Sequence, residues 1–62
     1  MMPEVHLFTA IMERQHKKVE LNFYEDWDGG IYELSVIGLT NSEVIFYFDK
    51  DGKYLRCLGL TN

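Results

Sequence analysis

Cysteine is almost missing from this sequence: Cys57 stands alone among 62 residues. One thiol closes no disulfide within a chain and builds no thiolate zinc site. Small secreted domains are commonly stapled, so a lone thiol points to a reducing compartment, and a cytoplasmic location is expected. The opening MMPEVHLFTAIMERQHKK lacks a basic leader, a clean apolar run and a small-residue cleavage site, so no signal peptide is expected there. No apolar run approaches the ~18 residues that cross a bilayer, and no membrane partner is expected. Basic excess is missing too. Six Lys and Arg stand against ten Asp and Glu, giving a net charge of −4 and a pI near 4.9. Phosphate neutralisation dominates nucleic-acid affinity, so direct nucleic-acid binding is not expected, whereas a basic protein surface suits the charge.

Catalytic and cofactor signals are equally sparse. His6 and His16 are ten positions apart. On a helix that is about 15 Å along the axis, too far to share a metal. Ser35 and Ser42 have no identifiable histidine partner, and Cys57 falls in a strand pattern where a small core role suits it better than a nucleophilic one. RQHKK, residues 14–18, can touch phosphate, but it reads more simply as a helix end whose cations complement the dipole. No enzyme and no cofactor are expected.

What is present is material for a core. Apolar residues make up 47% of the chain and aromatics 15%. Sixty-two residues form one domain, 1–62, without linker, repeat or low-complexity stretch. A chain so short buries only about 60% of its unfolded surface, so the aromatics, at roughly 150–250 Å² each, carry much of the core.

Periodicity divides the chain in two. In residues 5–14 both alternating sets are largely apolar, which leaves a strand open as an alternative. Helical spacing instead gathers Val5, Leu7, Phe8, Ile11 and Met12 in an arc of roughly 160°. Pro3 and Glu4 suit a helix start, and Arg14, Lys17 and Lys18 suit its end, so a helix is expected over about 4–16. From Lys18 the period becomes two. KVELNFY puts Val19, Leu21 and Phe23 on one face of a strand at 18–24. EDWDGG is dense in turn formers. IYELSVIGLT continues as a strand at 31–39 with Tyr32, Leu34 and Val36 inward, and Gly38 as a bulge that switches the inward set to Ile37 and Leu39. Strands at 43–48 and 53–60 follow, separated by DKDG. The expected fold is α+β: one amphipathic helix packed on a four-stranded antiparallel meander. A five-stranded small barrel is the alternative, since strands recur about every 12 residues.

FDKDGKYL, residues 48–55, has the look of a calcium loop, and it fails as one. Its position five is Lys53, position six Tyr54 and position twelve Leu60, where oxygen, glycine and glutamate are needed. A turn explains every residue: aspartate opens it, Gly52 takes positive φ and Lys53 resumes the strand. In a meander alternate turns lie at the same end, so Glu25, Asp26, Trp27 and Asp28 are expected beside Asp49 and Asp51. That is either an acidic rim around an aromatic anchor for a basic protein partner, or a solvated end capped by Trp27. The sheet face away from the helix offers a second surface through Tyr24, Ile45 and Tyr47, joined by Tyr54 or Leu58 according to register. A divalent ion bridging the tip carboxylates and a homodimer through the open face are the alternatives to a protein partner.

KKVELNFYEDWDGGIYELSVIG followed by FYFDKDGKYLR resembles the PepSY-like pattern over roughly residues 10–56. That resemblance implies a helix before an antiparallel sheet and a binding or inhibitory role, with no catalytic residue. The expected function is a small non-enzymatic binding protein, an inhibitor or modulator of a larger protein of the kind phages and mobile elements use.

Overall fold

The start of the amino-terminal helix is hydrogen-bonded to a turn near the far end of the chain. The computed structural model describes residues 2–15, 18–25, 29–38 and 42–60. Helix α1 spans Glu4–Gln15, and strands β1 (Lys18–Tyr24), β2 (Ile31–Ile37), β3 (Glu43–Asp49) and β4 (Tyr54–Leu60) follow. The strands form one antiparallel sheet in the order β1-β2-β3-β4. This is the α+β meander expected from the sequence, an open sheet and not a barrel.

The start of α1 is tied to the β3–β4 hairpin. Val5 N donates to Gly52 O at 2.9 Å, and Pro3 O accepts from His6 N and Leu7 N, both at 3.1 Å. Those bonds occupy amides that a helix start otherwise leaves without partners. Glu4 reaches across the hairpin, its Oε1 accepting from Tyr54 N at 2.7 Å. The close approach requires Gly52. Its φ is +86°, and a Cβ there would lie 2.8 Å from Pro3 Cβ and 3.0 Å from Val5 Cγ1.

Register assigns the faces. Val19↔Val36↔Val44, Leu21↔Leu34↔Phe46 and Phe23↔Tyr32↔Phe48 are cross-strand rows beneath the helix. Val5, Leu34, Val36 and Phe48 are buried, with Phe8, Met12, Val19, Leu21, Tyr32 and Phe46 packed around them. Each full burial contributes roughly 1.5–3 kcal/mol. Phe8 fills the far side: its ring centroid lies 5.1 Å from Phe48, 5.7 Å from Phe46 and 5.5 Å from a stacked Tyr54. Pairs in this range add about 0.5–1.5 kcal/mol each beyond their area.

Three expectations need correction. The apolar arc of α1 is only half buried. Val5, Phe8 and Met12 face the sheet, while Leu7 and Ile11 are 48% and 43% exposed. A rod resting on a sheet touches it along a stripe near 100° wide, narrower than the arc the sequence offered. The helix is described to Gln15, and His16 lies outside the described residues. Strand β2 stops at Ile37, and Gly38 closes the next turn by donating to Ser42 O at 3.0 Å, so Ile37 keeps its place on the open face; Leu39 lies outside the described residues. The irregularity falls in β4 instead, where pairing shifts between Tyr47 and Phe48 and Leu55 becomes the extra residue. That shift turns Tyr54 to the helix side and leaves Leu58 on the open face. Cys57 is exposed and not in the core, because α1 lies over β1 and β2 and does not cover this part of β4.

Candidate functional site

The 49–52 turn spends its carboxylate on its own backbone. Asp49 Oδ1 accepts from Asp51 N and Lys53 N, both at 2.9 Å. Gly52 N donates to Asp49 O at 2.9 Å, and Asp49 N donates to Lys53 O at 2.8 Å. With Gly52 at φ +86° this is a turn followed by a glycine bulge. The second turn lies alongside: a Cβ on Gly29 would sit 2.9 Å from Lys50 Cδ. Glu25 and Asp51 are exposed at this end. Asp26, Trp27 and Asp28 lie outside the described residues, and with them the proposed anchor. Among the described residues no three His, Cys, Asp or Glu gather as metal ligands.

The open face is better defined. Antiparallel register lays out two central rows, Asn22↔Glu33↔Tyr47↔Arg56 and Glu20↔Ser35↔Ile45↔Leu58. Tyr47 is directly opposite Glu33, and Tyr24, paired with Ile31, is its diagonal neighbour. Both phenols turn to that carboxylate: Tyr24 Oη donates to Glu33 Oε1 at 3.4 Å and Tyr47 Oη to Oε2 at 3.3 Å. These are long for O–H···O bonds, so Glu33 is shared loosely and keeps acceptor capacity. Arg56 sits over the Tyr47 ring, Cζ 5.3 Å from the centroid, and Ser35 Oγ donates to Glu43 Oε2 at 2.5 Å. Ile45 is half-buried between these groups, while Leu58 is 48% and Tyr24 50% exposed.

The charges act on the phenols. Tyr24 is raised above 10.0 mainly by the negative charge of Glu33, then by burial. Tyr47 is raised mainly by burial, then by Glu33, with Arg56 opposing. Tyr54, on the other face, is raised first by its hydrogen bond with Cys57. At neutral pH all three are uncharged donors.

Of the residues singled out from the sequence, the fold brings Tyr24, Ile45 and Tyr47 onto one face and sets Asp49 at its end. Glu33 and Arg56 were missed. Alternation alone puts Glu33 outward, but its position between two tyrosines depends on the pairing of three strands. Compared with protein-family models, with curated proteins and with solved structures, the chain matches none.

Proposed function

We propose that this protein is a non-enzymatic binding protein that engages a larger protein through the open face of its sheet. The observation that carries this is the Tyr24–Glu33–Tyr47 group, with Ile45 and Leu58 beside it. Tyrosines supply large contact area with a polar tip, and aromatic residues are enriched where partners dock. The acids Glu20, Glu33, Glu43 and Asp49 outnumber the cations Lys18 and Arg56 on this face, which suits a partner with basic groups. An inhibitory or modulating role accords with the small size, the net charge of −4 and the PepSY-like resemblance.

The test is affinity capture from the source cells with mass-spectrometric identification. Tyr47→Ala and Ile45→Lys should each reduce the retained partner at least tenfold, whereas Glu13→Gln on α1 should leave it unchanged. Equal retention by all three variants rules out the open face as the contact.

A further inference from the structure

We propose that β4 is a pairing edge and that its occupant is the β4 of a second copy of this chain, joined antiparallel about a two-fold axis at Leu58. The phase of the sheet shows which backbone groups are available. Asp49 N donates to Lys53 O, so on β3 residues 49, 47, 45 and 43 direct their backbone bonds toward β4. Their partners Leu58 and Leu60 therefore turn inward. Cys57 and Gly59, paired with Phe46 and Val44, turn their N–H and C=O away from the sheet. Tyr54 also points outward, and there the Glu4 carboxylate already takes the place of a neighbouring strand's carbonyl. Glu4 and the Leu55 irregularity thus close the first part of the edge and leave 56–60.

The protection usual on edge strands is thin along that remainder. Residues 52–60 contain no acid in a chain of net charge −4. Arg56 lies inward over Tyr47 instead of fencing the edge. Leu58 is 48% exposed, and a Cβ at Gly59 would meet nothing within 4 Å. Above the edge, Leu7 and Ile11 are exposed on the α1 flank that also carries Glu4 and Phe8, the flank directed at β4.

A second copy fits this edge for three reasons. The two outward residues are symmetric about Leu58, so Cys57 of each copy meets Gly59 of the other and both residues exchange both bonds, forming four backbone hydrogen bonds. Leu58 then faces Leu58 as a close non-hydrogen-bonded pair on the open face, and the open Gly59 position receives the Cys57 side chain. Finally, this is where two chains of charge −4 approach without setting acid against acid. Two four-stranded sheets become one of eight, with both helices on the same side, Leu7 and Ile11 of each flanking the trough between them, and the two open faces continuous.

Sedimentation velocity from micromolar to millimolar protein should move from one chain to two. Leu58→Lys, at an exposed position, should keep the circular-dichroism spectrum and weaken association at least tenfold. Amide spectra over the same concentrations should shift Cys57 and Gly59 while leaving Tyr54 in place. Register is read by cross-linking with diamide, which accepts the two electrons and two protons released as two thiols form a disulfide. Cys57→Ser/Leu58→Cys should cross-link rapidly, because the new thiols face each other. The natural Cys57 pair, about 7–8 Å apart on the diagonal, should do so poorly. A single chain at millimolar concentration, a dimer indifferent to Leu58→Lys, concentration-dependent shifts confined to β1 or the open face, or faster cross-linking of the natural thiol overturns the proposal.

Discussion

The two edges of this sheet are built differently. On β1, Lys18, Glu20 and Asn22 alternate with Val19 and Leu21, and α1 lies against the strand. On β4 every residue from Tyr54 to Gly59 is exposed, the sequence is leucine-rich and acid-free, and among the described residues its main neighbour is β3, with Glu4 and Phe8 of α1 touching its start. One edge is held by a hydrophobic stripe and fenced by charge of both signs. The other, beyond its hydrogen-bond ladder, is held chiefly at its start, by the Glu4 carboxylate and by the Tyr54 ring against Phe8, Phe46 and Phe48. A single helix is about 10–12 Å across and strands lie about 4.8 Å apart, so one helix covers roughly two strand spacings and leaves an outer strand uncovered.

The comparison breaks most severely at the core both edges share. Phe48→Ala removes a fully buried ring against which Phe8 and Tyr54 rest, and should cost about 3–5 kcal/mol in chemical denaturation. Next come the two glycines of the β4 hairpin. Gly52→Ala forces a Cβ into Pro3 and Val5 at positive φ and should destabilise by more than about 1 kcal/mol. Gly59→Ala, with open space around it, should stay within about 0.5 kcal/mol of the parent. Glu4→Gln keeps an acceptor but loses its charge, and should cost about 1 kcal/mol or less. Its sharper signature is hydrogen exchange at micromolar protein, where the chain is single: Tyr54 should exchange more slowly than Cys57 and Gly59 in the parent, and Glu4→Ala should bring the three together. Equal rates in the parent would show that Glu4 protects nothing.

The smallest effect is on titration. Glu33→Gln should lower the Tyr24 pKa toward 10.0 more than that of Tyr47, since charge is the first cause for one and burial for the other. Phenolate absorbance in Tyr24→Phe and Tyr47→Phe backgrounds separates them. Raised phenol pKa values mean the fold favours the neutral form. That contribution is complete below pH 10 and is lost as pH rises through the raised values, so stability should fall with alkali and Glu33→Gln should soften the fall.

Much of the architecture was legible locally. Val19, Leu21 and Phe23 alternate with polar partners, so β1 could be placed residue by residue. DKDG carries its turn chemistry in its own side chains. Leu7 and Ile11 misled because helical spacing reports what is apolar and not what is covered. The choice between Tyr54 and Leu58 stayed open because a single extra residue in β4 inverts the facing of what precedes it, and Cys57 was misjudged because its place in a strand does not say whether the helix covers it.

The sequence by itself determined the elements, their order and the inward set of the first two strands, because backbone preference and period act over a few neighbouring residues. Only the tertiary structure decided that Glu33 would lie between Tyr24 and Tyr47, that Glu4 would close the start of β4, and that the rest of that edge would stay open. Each of those depends on register between segments distant in the chain, where a shift of one residue moves every side chain to the opposite face.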